Sequence, residues 1–364
     1  MDLIMKQLEV GLGERAYPIL VQEGLLANIG EDLRERNIGK RYVIIADDRV
    51  ADLFGDVVLD SLKNAGLDCD LVTFPHGEES KNLATIGQLT SRLAQLGVDR
   101  KDCLVALGGG VSGDMAGFVA AIYMRGIPFV QVPTTLLAQV DSSVGGKTGV
   151  DIPEGKNLVG SFYQPRAVYI DSSVLQSLPP EELLNGLAEV IKYGVIYDAD
   201  FFYFLNANRE RIQALELSVL EEVILRCCAI KAEVVAADER EADLRRILNY
   251  GHTLGHAVEA ASHFTIAHGL AVAMGMVTVN KIAVAQGMLS PETADEIMNL
   301  ISSFGMPTCI PPELDGHQMK KFLKTDKKTV AGKPFFVLPI AIGTVIITDD
   351  VDGSVIDEVL RGKV

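Results

Sequence analysis

The sequence predicts an α/β protein in which a doubly wound, Rossmann-like domain is followed by a mainly α-helical domain. Short apolar runs alternate with helical stretches through residues 1–178, a pattern typical of a parallel sheet covered by helices. At Leu178-Pro179-Pro180 the pattern changes to helical spacing, and the Glu-Glu pair that follows suits a helix start. We therefore predict a first domain over residues 1–178 and a second over residues 179–364.

The strands of the first domain are expected at the apolar runs 17–21, 42–46, 71–74, 103–107, 129–132 and 167–170. Helices are expected between them, as at residues 83–96 and 114–124. Sheets of this kind bind their ligands at the carboxyl ends of the strands. In the second domain helical spacing continues to about residue 303, and the runs 335–339 and 344–348 on either side of Gly343 predict a hairpin.

Composition argues against several classes of function. The chain has 364 residues and a net charge of −16, from 33 basic and 49 acidic side chains. This balance argues against nucleic-acid or anionic-membrane binding, because both need a basic surface, and an anionic substrate would need a local group of Lys and Arg. No apolar run is expected to span a membrane, and the N-terminus lacks the regions of a signal peptide. The five cysteines fit no disulfide pattern, which favours reduced thiols and a cytoplasmic protein.

Four of the six histidines lie between residues 245 and 269. His252 and His256 are four apart in a segment of helical spacing, so they share a face, and neutral imidazole is a common zinc ligand. Such a pair is also compatible with a hydrogen-bonded core pair. The two further histidines, beside Arg245 and Asn249, favour a functional site.

A glycine-rich turn follows the run 103–107. Gly108-Gly-Gly-Val-Ser-Gly-Asp114 combines a strand end, a turn and a helix start, where glycines let the backbone approach a pyrophosphate and the helix N-terminus favours its charge. The spacing is not the strict dinucleotide fingerprint, so an ordinary tight turn is the alternative. The turn 75–81 follows another strand and is suited to the adenosine side of a dinucleotide, although a polar loop would look the same.

Small polar residues are dense over residues 132–148 and continue to Gly155-Lys156-Asn157. Lys147, Lys156 and Asn157 are suited to a phosphate, with each Lys acting as a point charge. The Gly-Gly-Lys-Thr run is not a P-loop, because Asp141 stands where the first glycine of that motif is required. A nucleotide triphosphatase is therefore rejected.

Glu189 and Lys192 lie three apart on one face of an apolar helical segment. They form either a surface ion pair of little energy or a buried pair. The apolar neighbours favour burial, and a buried carboxylate needs a partner or a metal. The other charged or polar candidates of the second domain are Lys231, Glu241, Arg245, Asn249, Asp326, Lys327 and Lys328. Asn249 follows Arg245 by four residues, so the two are expected on one face of an α-helix. Together the charged and polar candidates are suited to form the local basic pocket that an acidic protein needs for an anionic substrate.

With these motifs in order, the chain resembles the 3-dehydroquinate synthase family of sugar-phosphate cyclases over essentially its whole length. The resemblance rests on residues 108–114, 123–126, 133–138, 141–147, 155–157, 188–194, 238–241, 248–256, 268–269 and 326–328. It implies NAD and one divalent metal, zinc or alternatively cobalt. It also implies conversion of 3-deoxy-D-arabino-heptulosonate 7-phosphate to 3-dehydroquinate with loss of phosphate, a step of the shikimate pathway, and a homodimer.

The resemblance also assigns site residues by position. The implied metal ligands are Glu189, His252 and His268, and the implied catalytic residues are His256 as proton acceptor, with Lys192, Lys147, Glu241 and Asp141. The implied contacts to the substrate phosphate are Lys147, Asn157, Lys327, Lys328 and a partner subunit's copy of Arg125. The implied contacts to the substrate carboxylate are Lys231, Arg245 and Asn249. The expected NAD contacts are His76, Gly77, Glu78, Lys81, Gly109, Gly110, Val111, Ser112, Gly113, Asp114, Thr134, Thr135, Lys147 and Lys156.

Two departures from the family pattern are visible. Leu270 stands where the family commonly has Glu after His-Gly, which leaves a carboxylate contact to the last ligand in doubt, and His76 stands where an acidic residue is frequent. His263 has no implied role. Three rival functions stay open: a cyclase for a substrate without a carboxylate, an NAD- and metal-dependent dehydrogenase of the glycerol dehydrogenase type, and an inactive binding protein.

Overall fold

A computed structural model describes residues 5–325 and 335–360, and within them the chain forms two compact units. The first unit contains the chain up to Leu178 together with Leu220–Ala236, and the second contains Pro179–Val219 and the chain from Ala237 onwards. The sequence-based boundary at residue 178 therefore differs from the structure for residues 220–236. This segment belongs to the first unit because it bonds there: Cys228 Sγ lies 3.3 Å from the carbonyl oxygen of Gln139, and Lys231 pairs with Asp141.

The first unit is built on a seven-stranded sheet in the order β1-β2-β9-β6-β5-β3-β4. Only β1 is antiparallel to its neighbour. The strands are β1 (Lys6–Val10), β2 (Tyr17–Val21), β3 (Arg41–Asp47), β4 (Asp68–Phe74), β5 (Cys103–Gly108), β6 (Phe129–Pro133) and β9 (Val168–Ile170), and a separate hairpin pairs β7 (Lys147–Ile152) with β8 (Gly155–Phe162).

Helices cover both faces of this sheet, as expected for a doubly wound fold. Along β3, Tyr42, Ile44 and Ala46 belong to one buried cluster, and Val43 and Ile45 belong to another. This alternation follows from the two-residue period of a strand, and both faces are apolar because both are covered. The helices of the first half are α1 (Ile29–Arg36), α2 (Asp48–Val50), α3 (Asp56–Asn64), α4 (Leu83–Gln95) and α5 (Gly110–Ile122).

All six strands expected from apolar runs are present, with bounds that shift by up to three residues. The strand β1 and the β7–β8 hairpin were not expected. Their sequences, KQLEV for β1 and KTGVDI followed by GKNLVGSF for the hairpin, mix apolar residues with Lys, Gly, Asp and Asn. These strands lack a continuous apolar run, so their patterns resemble polar loops.

The second unit is mainly helical and carries the expected hairpin. Its helices are α6 (Pro180–Ile196), α7 (Ala199–Ala207), α8 (Arg209–Gln213), the start of α9 (Leu217–Ala237), α10 (His252–Ala261), α11 (His268–Ala285), α12 (Pro291–Ser303), α13 (Gly316–Thr325) and α14 (Gly353–Leu360). The strands β10 (Phe336–Ala341) and β11 (Thr344–Thr348) pair antiparallel across a turn in which Gly343 has a φ of 85°.

Helix α11 corrects one expectation about membrane spans. It is long and apolar enough to cross a membrane by length and composition, contrary to the sequence-based expectation, but 72% of it is buried inside the fold. Burial of this kind is typical of a core helix, which is apolar on all sides because other elements surround it.

All five cysteines are free thiols.

Candidate functional site

The second unit gathers a carboxylate and three imidazoles around α6. This helix begins with Pro180 and has Glu181 and Glu182 in its first turn, where the fixed φ of Pro and negative charge both favour a helix start. Its residues from Asn185 to Ile196 are all buried, and Glu189 is completely inaccessible to solvent. The Lys192 ammonium pairs with Glu189 Oε2 within the same helix. Glu189 and Lys192 are therefore a buried pair rather than a surface one.

Two glycine contacts bring the histidines to this carboxylate. A Cβ on Gly269 would lie 2.1 Å from the carbonyl oxygen of Asn185, one turn before Glu189 on α6, so the start of α11 packs directly on α6. A Cβ on Gly275 would lie 2.0 Å from the carbonyl oxygen of Gly251, which precedes α10. Only glycine allows these approaches, and they place His268 and His252 at the same point.

Glu189, His252 and His268 have the arrangement of a metal-binding group. Their three ligand atoms lie within 4.8 Å of one another. Oε1 of Glu189 is 3.3 Å from Nε2 of His252 and 3.4 Å from Nε2 of His268. Two ligands held about 2.0–2.1 Å from one ion at a tetrahedral angle stand roughly 3.3 Å apart, so these residues fit a divalent metal. Three protein ligands leave further coordination positions open, which is typical of catalytic sites.

The other nitrogen of each imidazole also has a partner. His252 Nδ1 lies 3.0 Å from the carbonyl oxygen of Tyr250, and His268 Nδ1 lies 3.2 Å from Oε2 of Glu259. Such partners fix the tautomer that presents Nε2 to a metal. The carboxylate contact left in doubt by Leu270 is thus made in the structure by Glu259, a residue that the sequence reasoning missed although it follows His252 by two helical turns.

Electrostatics in this group favour a charged carboxylate. Burial alone would raise the pKa of Glu189, but Lys192 and the two imidazoles outweigh it and hold the pKa well below its usual value. Burial alone would lower the pKa of His268, yet Glu189 and Glu259 override it and raise that pKa to about 10. His256 borders the group, with its ring centroid 5.6 Å from that of His252 and 6.0 Å from that of His268.

A second group in this unit surrounds Arg245, which is 1% exposed. Asn249 donates a hydrogen bond to Oε1 of Glu241 at 2.7 Å, and Glu241 has a φ of 59°. Residues Leu244–Asn249 form a 3₁₀ helix. The expectation that Arg245 and Asn249 share one face of an α-helix is therefore wrong, because four residues of a 3₁₀ helix turn through about one and a third turns.

Asp238, to which the sequence reasoning assigned no role, organises this segment. Its carboxylate accepts hydrogen bonds from the backbone N–H groups of Ala242, Asp243 and Arg245, at 2.8–3.0 Å. Burial would raise the pKa of Asp238, but these three donors outweigh it and lower the pKa. The short polar side chain before a loop was the signal that could have identified it.

In the first unit, the glycine turn at residues 108–110 lies at the point where the order of the strands reverses. The connection after β3 leads to β4 on one side and the connection after β5 leads to β6 on the other, and such a point is where doubly wound sheets bind ligands. Gly108 has a φ of 148°, and a Cβ there would lie 2.4 Å from Ser112 Oγ. A Cβ on Gly109 would contact Thr135 at 3.1 Å. Because these two positions have no room for a side chain, the backbone before α5 carries none, and such a backbone suits a pyrophosphate.

The sequence reasoning missed Asp47 at the end of β3. Its Oδ2 accepts a hydrogen bond from Ser112 Oγ at 3.2 Å, so an acidic side chain stands next to the glycine turn. A carboxylate after the neighbouring strand is the usual partner of a dinucleotide's ribose. It was missed because the fingerprint places this residue after the glycine turn in sequence, whereas here it precedes the turn.

Several other expected NAD contacts lie around the same turn. Lys81 Nζ is 2.7 Å from Oδ2 of Asp114, and the two side chains are 6% and 18% exposed. Burial raises the pKa of Asp114, with Lys81 opposing it; burial would lower the pKa of Lys81, but Asp114 raises it. Thr134 donates its backbone N–H to the carbonyl oxygen of Gly108 at 3.0 Å. Val111 and Gly113 are in the first turns of α5.

The loop at residues 76–78 is exposed. His76 Nδ1 lies 2.8 Å from Oδ1 of Asp48, and Lys156 Nζ lies 3.6 Å from Oε1 of Glu78. The loop is thus joined to the residue after β3 by the His76–Asp48 contact and to the β7–β8 hairpin by the Lys156–Glu78 ion pair. Its glycine, Gly77, has a φ of 100°.

The expected phosphate-binding residues are more dispersed. Lys147 and Asn157 are exposed on the β7–β8 hairpin, and Arg125 is exposed after α5. Lys231, expected at the substrate carboxylate, is 5% exposed and its Nζ lies 2.6 Å from Oδ1 of Asp141. Asp326, Lys327 and Lys328 lie outside the described residues.

Comparison with known proteins identifies the family. Residues 71–185 match the family model for the 3-dehydroquinate synthase N-terminal domain, and residues 186–329 match the model for its C-terminal domain. The chain belongs to the 3-dehydroquinate synthase family. A 3-dehydroquinate synthase of Thermodesulfovibrio yellowstonii is 46% identical over 98% of this chain and 100% of its own. The enzymatic activity expected from the sequence, synthesis of 3-dehydroquinate, is confirmed by these matches.

Solved structures of cyclases confirm the fold class. A 2-deoxy-scyllo-inosose synthase complexed with carbaglucose-6-phosphate, NAD⁺ and Co²⁺ is 29% identical with a TM-score of 0.90, over 99% of this chain and 100% of that one. A 2-epi-5-epi-valiolone synthase from Streptomyces hygroscopicus subsp. jinggangensis, with NAD⁺ and Zn²⁺ bound, is 28% identical with a TM-score of 0.88, over 95% and 96%.

Proposed function

We propose that this chain carries out 3-dehydroquinate synthesis with one divalent metal held by Glu189, His252 and His268. The main observation in support is that Glu189 Oε1 lies 3.3 Å from His252 Nε2 and 3.4 Å from His268 Nε2. When bound, the metal supplies a Lewis acid that lowers the pKa of a substrate hydroxyl and polarises a carbonyl. Zinc is the proposed ion and cobalt the alternative.

The side chains around this group have further roles in binding and catalysis. His256 accepts the proton of the substrate hydroxyl, because it borders the ligands without being one of the three. Lys192 balances the charge of Glu189 in a site from which water is excluded, and such buried pairs keep fixed geometry during a reaction. Glu241, hydrogen-bonded to Asn249, helps to hold the substrate-binding segment in position.

NAD is proposed to bind the first unit at the glycine turn. Backbone amides of Gly109, Gly110 and Val111 would hold its pyrophosphate, and the Asp47 carboxylate would accept hydrogen bonds from its ribose hydroxyl groups. When bound, NAD would supply a reversible hydride acceptor. Temporary oxidation of the substrate would acidify the proton that is lost together with phosphate, before the hydride is returned. The further proposed contacts are His76, Gly77, Glu78, Lys81, Ser112, Gly113, Asp114, Thr134, Thr135, Lys147 and Lys156.

The substrate, 3-deoxy-D-arabino-heptulosonate 7-phosphate, has two anionic groups that the chain must hold. Arg245 and Asn249, with Lys231, are proposed for the carboxylate, since a guanidinium binds a carboxylate through two hydrogen bonds. Lys147, Asn157, Lys327 and Lys328 are proposed for the phosphate. Asp141 holds the Lys231 ammonium. Ring opening and an intramolecular aldol closure then complete the product, which positioning of the substrate favours.

A homodimer in the cytoplasm is part of the same proposal. Arg125 is exposed, and large apolar side chains on the surrounding surface are also exposed: Ile122, Met124, Leu158 and Phe162 are 41–46% accessible. Gly126 packs against Tyr163, next to Phe162, so these segments are adjacent. An exposed apolar group beside an Arg is suited to a second copy of the chain, to which Arg125 would be presented.

The decisive experiment supplies the purified chain with the heptulosonate phosphate, NAD and zinc. Phosphate and 3-dehydroquinate should appear in equal amounts while the total of oxidised NAD stays constant. Accumulation of NADH in step with substrate loss would instead indicate a dehydrogenase. Turnover of a sugar phosphate without a carboxylate at an equal rate would favour a cyclase of the inosose or valiolone type.

A further inference from the structure

We propose that Glu259 is a positioning residue for the metal group, holding the Nδ1 side of His268 so that Nε2 points to Glu189. This inference rests on the proposed function, because it concerns the metal that Glu189, His252 and His268 are proposed to hold. Glu259 is not one of those three ligands, and it acts on the ion through His268.

Helix geometry places Glu259 on the ligand face of α10. His252, His256 and Glu259 are spaced i, i+4 and i+7, and residues with this spacing lie along one stripe of an α-helix. His268 begins the next helix, and its ring contacts that stripe from the side, 5.3 Å between centroids from His252. A carboxylate two turns along the stripe is therefore in reach of the far side of the His268 ring.

Burial gives this contact a strong energetic basis. Glu259 is 6% exposed, and its Oε2 lies 3.2 Å from Nδ1 of His268. A buried carboxylate is costly without a charged or hydrogen-bonding partner, and a hydrogen bond with an ionised acceptor is stronger than a neutral one. The His268 ring is therefore held in one orientation, with its Nε2 at 3.4 Å from Glu189 Oε1.

The two histidine ligands are supported unequally. His252 Nδ1 faces a neutral carbonyl oxygen, that of Tyr250 at 3.0 Å, whereas His268 Nδ1 faces a carboxylate. A carboxylate partner makes an imidazole a stronger donor to a metal and adds one negative charge near the ion. Loss of the Glu259 charge should therefore weaken metal binding even where all three ligands remain.

A direct ligand role for Glu259 is the competing possibility. His256, Glu259 and His268 also have ligand atoms within 4.8 Å of one another. The two possibilities differ in one measurable respect: a positioning residue changes the affinity and leaves the ligand set unchanged, whereas a ligand changes both. The visible absorption of bound Co²⁺ reports the ligand set directly.

The test titrates Co²⁺ and Zn²⁺ into the metal-free full chain in wild-type, Glu259→Gln, Glu259→Asp and Glu181→Gln forms. Glu181 is exposed at the start of α6 and serves as the matched control. Glu259→Gln should raise the metal dissociation constant about 10- to 100-fold with an unchanged Co²⁺ spectrum at saturation. Glu259→Asp should recover part of the affinity, and Glu181→Gln should equal wild type.

Two results of the titration would overturn the inference. An unchanged dissociation constant in Glu259→Gln would show that the contact has no effect, and an altered Co²⁺ spectrum would make Glu259 a ligand. Wild type that binds no metal would defeat the proposed function itself. Should Glu259→Gln fail to fold, the Nδ1–H proton resonances of zinc-loaded wild type decide: His268 should lie downfield of His252, and equal shifts would contradict the proposal.

Discussion

Single residues decide the chemistry of the second unit, and Glu189 is the clearest case. Its spacing from Lys192 left open whether the pair is buried or on the surface. The structure makes Glu189 fully inaccessible to solvent, which could not be deduced from one sequence because burial depends on which elements pack around α6. Glu259 and Asp238 were missed for the same reason, since their partners are set by packing and loop conformation.

The substrate carboxylate is expected to be recognised by Arg245 and Asn249. Arg245→Ala and Asn249→Ala should lower kcat/KM strongly on the acid substrate, by roughly 2–3 kcal/mol of transition-state stabilisation for the charged contact. On an analogue lacking the carboxylate their effects should be small. Steady-state kinetics with both compounds measures this, and equal losses on the two substrates would mean that these residues do not bind the carboxylate.

Asp238 predicts a pH dependence of stability. Its pKa is lowered in the folded protein, so it contributes stability that is fully present above its unfolded pKa of about 3.9 and lost as pH falls through the lower folded value. Urea unfolding should therefore show a difference between wild type and Asp238→Asn that is largest above about pH 5 and shrinks toward pH 2. A difference independent of pH would show that the charge of Asp238 contributes nothing.

At the scale of elements, the spacing of apolar residues and the identity of turn residues predicted most of the helices and strands. The buried strands β3, β5 and β6 are continuous apolar runs, and the glycine turn after β5 was recognised from its residues. The β7–β8 hairpin was missed because its strands mix apolar residues with polar residues and glycine and contain no continuous apolar run. The 3₁₀ helix Leu244–Asn249 was taken for an α-helix, because the hydrogen bonds that Asp238 accepts from backbone N–H groups at its start are not visible in a sequence pattern.

The glycine turn is expected to tolerate no side chain. Gly108→Ala places a Cβ 2.4 Å from Ser112 Oγ at a φ of 148°, so the turn must shift and NAD affinity should fall by at least tenfold. Gly87→Ala is the matched control, because it lies in α4 with nothing within 4 Å of its Cβ, and it should stabilise the helix by up to about 1 kcal/mol. Fluorescence titration with NADH compares them; equal affinities would contradict the assignment of the turn.

At the scale of the whole molecule, an acidic chain must bind an anionic substrate through local cations. The net charge of −16 repels polyanions at long range, so affinity must come from short-range cations, for which Arg245 and Lys231 are the proposed groups. The fold class and the family followed from the sequence. The grouping of Leu220–Ala236 with the first unit did not, because contacts between distant segments decide it.

The Glu189–His252–His268 group is expected to hold the metal on which synthase activity depends. The most direct measurement is metal content and synthase activity, taken together, on wild type, His252→Asn and His263→Asn. His263 is an exposed histidine in the turn just after α10 and controls for loss of an imidazole. Wild type and His263→Asn should each bind one zinc per chain and form 3-dehydroquinate, while His252→Asn should lose both. Full activity in metal-free protein, or equal metal content in all three, would contradict the account.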